Sequence, residues 1–117
     1  MGESRAAAED EFAAALVQTR RHMHHARQEL NPRDFKVDAA MLNPWLDPKF
    51  TDAEGIRFAL RSGTLIGTSG DVAEQVAELR DAGVGHLLCQ MSFGFLEHER
   101  IKSSMRRFAE TVIPAFV

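Results

Sequence analysis

Only one cysteine, Cys89, stands in the whole chain, so no internal disulfide can form and nothing argues for an oxidising compartment. An excess of basic charge is also missing: 14 Lys and Arg are set against 17 Asp and Glu, giving a formal net charge of −3 and a pI near 5.9. Such a chain has no field for gathering phosphate backbones, which excludes nucleic acid as the expected partner. Apolar runs extend over only a few residues, far short of a membrane span. The N-terminal region is interrupted by Arg5, Arg20, Arg21 and Arg27 and has no apolar stretch followed by a cleavage site, so no secretory signal is expected. The expected location is cytoplasmic. There is no CxxC, no HExxH, no internal repeat and no low-complexity tract beyond an Ala-rich start.

What is present is a folding composition: 117 residues, 44% hydrophobic and 26% charged, suited to one domain of ordinary size. Residues 3–30 are rich in Ala, Glu, Arg and Gln, and Phe12, Leu16, Met23 and Leu30 fall on one face, which predicts a long N-terminal helix. Asn31-Pro32 ends it. Pro32, Pro44 and Pro48 then punctuate a connection in which Phe35, Val37 and Ala39 alternate with charged residues as in a short strand. Thr51 and Glu54 form a capping-box pattern that opens a short helix ending near Gly63. The connection and this helix together occupy 31–63.

The region 64–117 reads as strand, helix, strand, helix. Thr64-Leu65-Ile66-Gly67 is β-prone. Thr68-Ser69-Gly70-Asp71 suits a helix start. Val72, Val76 and Leu79 line one side of that helix, and Asp81-Ala82-Gly83 closes it. Residues 84–91 contain the apolar run Leu87-Leu88-Cys89, which suits a parallel strand covered on both faces. Ile101, Met105, Phe108, Val112 and Phe116 then trace an amphipathic final helix, with Pro114 distorting its last turn. Periodicity therefore predicts an α/β class with a pair of parallel strands.

Gly67-Thr68, Val72-Ala73-Glu74-Gln75-Val76 and the terminal Ala109-Glu110-Thr111-Val112-Ile113-Pro114-Ala115-Phe116 together resemble the C-terminal portion of luciferase-like flavin-dependent monooxygenases. The usual proline after Gly-Thr is replaced here by Ser69-Gly70. The resemblance implies an oxidoreductase fold, the TIM (β/α)8 barrel, of which 64–117 supplies the closing two β/α units. It also implies FMN or a deazaflavin as cofactor. A full barrel takes about 250 residues, so the expectation is a fragment: a single partial domain, incomplete, preceded by the long N-terminal helix and not catalytic alone. The early strands that carry the family's catalytic residues have no counterpart, and no catalytic residue is assigned. The alternative is a non-catalytic interaction or remnant domain. On either reading the strand edges need cover, from a homo-oligomer or from a complementing barrel half.

Candidate chemistry is sparse. Gly67 and Thr68 precede a helix whose backbone N–H groups suit an anion such as a flavin phosphate, with an ordinary capped turn as the competing reading. Ser92, with Phe93, follows the second expected strand at the catalytic rim of a barrel, where it would border the cofactor or serve as loop filler. His22 and His25 are three apart on the first helix, but no further ligand set accompanies them and no metal site is assigned; a solvated surface is the expectation. Cys89 is expected as a small core residue and Trp45 as a loop anchor. His98, Arg106 and Arg107 are expected to face water.

Overall fold

The computed structural model describes residues 1–30 and 49–117. Helix α1 spans Arg5–Leu30, as the helix-forming composition of that segment dictates. Its inner face buries Ala8, Ala15 and Leu16. One turn beyond Leu16, the same face carries Arg20, which is only 1% exposed. Its guanidinium donates through Nε to Asp52 at 3.1 Å and through Nη2 to the Phe50 carbonyl at 2.6 Å. A buried cation is tolerated only when its hydrogen bonds are met, and these two bonds dock the start of the second helix onto α1.

Helix α2 covers Asp52–Arg61 and opens with the predicted capping box: the Thr51 hydroxyl accepts from the Glu54 N–H, and the Glu54 carboxylate accepts from the Thr51 N–H. Gly55 sits where α2 crosses Arg20, and a methyl group there would meet Nη1 at 2.6 Å. Helix α3, Ser69–Asp81, has a second capping box between Thr68 and Asp71, with Val72 buried beneath its first turn. Helix α4 runs over His98–Arg107 and continues into a π-helical turn, Phe108–Val112, and a 3-10 turn, Ile113–Ala115. Pro114 explains the change of winding: it lacks the N–H that would bond the Glu110 carbonyl, and the Ile113 N–H reaches back five residues to Phe108.

The expected parallel strand pair is not formed. Among the described residues no strand exists, and this overturns the assignment of 64–117 to the closing β/α units of a TIM barrel. Among the described residues neither segment has the backbone partner that a strand requires. At 64–67, Ile66 is paired through N–H and C=O with the side chain of Gln75. At 84–91, the Val84 N–H bonds the Leu79 carbonyl at 3.0 Å, after which Gly85–Ser92 make no hydrogen bond to any described residue. The other strand expected in the sequence, around Phe35, and the loop role of Trp45 lie outside the described residues.

The core is correspondingly thin. Buried apolar residues number seven among those described, and three of them are alanines, leaving Leu16, Ile66, Val72 and Val112 as the larger ones. Val84, Leu87, Leu88, Phe95, Met105 and Ile113 are among the large apolar side chains left exposed.

Candidate interaction site around residues 84–93

The segment 84–93 is strung between two anchors. At its start, Gly83 takes a positive φ of 95° and turns the chain away from α3, and the Val84 N–H closes on Leu79. At its end, the Phe93 ring stacks on Phe12 of α1 with centroids 5.0 Å apart. Gly94, with φ 51°, lies so close to Thr19 of α1 that a Cβ would collide with its hydroxyl. Phe95 then meets His22 edge-on at 5.7 Å. Between the anchors, 84–90 are exposed throughout, and Leu88 stands 90% exposed. No Asp, Glu, Lys, Arg or Pro interrupts 84–91, although these are the residues that natural sheet edges use to discourage pairing.

Beneath the segment lies an open cleft of about 930 Å³ lined by Phe12, Leu16, Val72, Leu87, Met91 and Phe108. Its walls are α1, α2 with the turn that follows it, α3, the segment itself, and α4 with the start of the π-helical turn. Charged groups lie at its border: Arg100 approaches Glu11 at 3.4 Å, and Arg5 bonds its own helical neighbour Glu9 at 2.9 Å. The cleft is where a continuous core would run if 84–91 were covered from outside. It brings together no acid, base and nucleophile in hydrogen-bonded array.

The residues singled out in the sequence are dispersed. The Thr68 N–H and hydroxyl both donate to Asp71 Oδ2, at 2.8 and 2.7 Å, so the start of α3 already holds a carboxylate of its own. These two bonds, the hydroxyl's first, keep the Asp71 carboxyl below the ordinary aspartate range. Gly67 is buried, has φ 135°, and accepts through its carbonyl from the Gly2 N–H at 3.0 Å. Ser92 is exposed and follows the extended segment, and the barrel rim on which the flavin expectation for it depended is not formed. Cys89 is exposed rather than in the core, because no element among the described residues covers the run that contains it. His22 and His25 are exposed, and no group of three metal-ligating side chains occurs among the described residues. His98 and Arg106 face water as expected, while Arg107 is half-buried and donates to the Gly2 carbonyl at 3.2 Å.

Sequence reasoning missed Arg20 and Gln75. Arg20 had a signal: it falls one turn from Leu16 and three residues before Met23, on the apolar face of α1, where a charge is out of pattern. Gln75 had none, because a glutamine at a half-buried helical position is unremarkable until its carboxamide is seen on Ile66. No helix among the described residues is long and apolar enough to cross a membrane. Comparison of the chain with family models, with curated proteins and with solved structures finds no match to any of them.

Proposed function

We propose that the chain is a non-catalytic interaction module in which segment 84–91 joins the same segment of a second copy by strand addition. The observation that carries this reading is an extended, uncharged and proline-free stretch whose backbone groups from Gly85 onward have no partner among the described residues and whose residues 84–90 are exposed. Strand addition satisfies the backbone groups and covers Leu87 and Leu88 in the same step. Anchoring at Val84 and Phe93 holds the segment extended beforehand, which lowers the ordering cost of association. The second copy is favoured because self-pairing of an uncharged stretch brings no like charges together, although the chain carries a net charge of −3.

Sedimentation of the pure chain across a range of concentrations tests this. A mass rising toward that of a dimer or higher assembly is expected; a monomer at all concentrations, with a cooperative melt, contradicts it.

A second reading concerns origin. The order of the capped helix at Thr68, the extended 84–91 and the terminal Ala109-to-Phe116 stretch supports kinship with the C-terminal portion of luciferase-like flavin-dependent monooxygenases, without catalysis by this chain alone. On this reading the cover for 84–91 is a complementing polypeptide that brings the flavin site with it. Titration with FMN and with a deazaflavin, followed by flavin fluorescence, distinguishes the readings: no binding by the isolated chain fits the module, and tight binding favours the enzyme.

A further inference from the structure

We propose that Gln75 closes the 64–67 segment to strand addition by standing in for a neighbouring strand, and thereby directs pairing to 84–91; the second half of this statement rests on the association reading above. Gln75 Nε2 donates to the Ile66 carbonyl at 2.9 Å while its Oε1 accepts from the Ile66 N–H at 3.1 Å. One donor and one acceptor exchanged with a single residue is what an opposing residue supplies in the hydrogen-bonded pairs of an antiparallel ladder. The same nitrogen also donates to the Asp71 carbonyl at 3.0 Å, one turn back in α3. Because Nε2 faces two carbonyls and Oε1 faces an N–H, the carboxamide has only one orientation that satisfies all three. Ile66 is buried, so its N–H and C=O left unpaired would carry a desolvation penalty that the glutamine removes.

The two extended segments therefore differ in kind. At 64–67 the central backbone pair is occupied by the protein's own side chain, the Gly67 carbonyl is taken by the Gly2 N–H, and the Ile66 side chain is buried. At 84–91 no side chain among the described residues plays that part. Sheet edges are commonly protected by charge, proline or bulges; a side-chain amide that mimics the missing strand gives the same protection while keeping the segment extended.

Site-resolved amide exchange on the full chain reads this directly. In the wild type the Ile66 amide should exchange about tenfold or more slowly than that of Leu65, whose N–H has no partner among the described residues. Gln75→Leu removes the acceptor of the Ile66 N–H together with the donor to its carbonyl, so Ile66 should then exchange at the Leu65 rate, whereas Gln75→Glu keeps the acceptor and should leave the Ile66 amide protected. Gln75→Leu combined with Leu88→Lys should associate through 64–67, whereas Leu88→Lys alone should remain monomeric. Equal exchange of Ile66 and Leu65 in the wild type overturns the proposal without any variant. So does a double variant that is folded by circular dichroism and stays monomeric. If Leu88→Lys fails to dissociate the wild-type assembly, the association reading fails, while the Ile66 comparison still decides the role of Gln75.

Discussion

Replacing Leu88 by lysine separates the demands of folding from those of association. The side chain is 90% exposed, so the isolated fold has almost nothing to lose from the change. An exposed substitution of this kind costs within about 0.5 kcal/mol. In the assembly the account differs. Full burial of a leucine contributes about 1.5–3 kcal/mol, and a symmetric contact uses the residue twice, so the substitution removes about 3–6 kcal/mol of association energy. That corresponds to a weakening of roughly a hundredfold to ten-thousandfold in the dissociation constant, and a lysine on the pairing edge adds its own opposition. Sedimentation equilibrium on both proteins gives the constants, and thermal melting at a concentration where both are monomeric gives the fold's share. A melting temperature of the monomer lowered by many degrees, or an association constant that Leu88→Lys leaves unchanged, would contradict this separation.

Three further outcomes follow from the packing. Gly55→Ala ordinarily gains about 1 kcal/mol in a helix; here the methyl meets a guanidinium held by Asp52 and the Phe50 carbonyl, so denaturant titration should show a net loss of about 1–3 kcal/mol. Arg20→Met removes the tie between α1 and α2 but leaves Asp52 with a 45% exposed side chain that water can serve, so its cost should stay near 2 kcal/mol, below that of stranding a fully buried charge. Thr68→Ala should cost about 1 kcal/mol by removing the cap of α3.

The two capping boxes also set a pH response. The Asp71 and Glu54 carboxyls lie below their ordinary values of 3.8 and 4.5 because threonine donors favour the charged form, the hydroxyl foremost for Asp71 and the backbone N–H foremost for Glu54. Since folding lowers both, their contribution is complete above those ordinary values and is lost as pH falls through the lowered folded values. Helicity followed by circular dichroism in acid should therefore decline at the low end of the carboxylate range, and Thr51→Ala together with Thr68→Ala should flatten that decline.

Local chemistry was the legible part of this sequence. The helix starts at Thr51 and Thr68 follow from hydroxyl and carboxylate spacing alone, and the structure has both capping boxes where the pattern put them. The stripe of α3 was legible in part, with Val72 buried and Val76 and Leu79 half-buried. The strands were misread because an apolar run reports a need for cover, whereas a strand also needs a backbone partner. For 84–91 no such partner exists among the described residues, so Leu88 points outward and Cys89 is exposed. Met105 is exposed for a related reason, since the amphipathic stripe of α4 was drawn for a core larger than the one formed. Gln75 lay beyond reach because its partner, Ile66, is nine residues away and on another element.

Backbone amide exchange across 85–92, measured at rising protein concentration, reads whether a second copy pairs with this segment. At low concentration these amides should exchange near the unprotected rate, and they should slow together, in an alternating pattern, as copies pair through the segment. If they stay unprotected while the chain assembles by other surfaces, or if they are already protected in the dilute monomer, segment 84–91 is not the edge that a second copy joins.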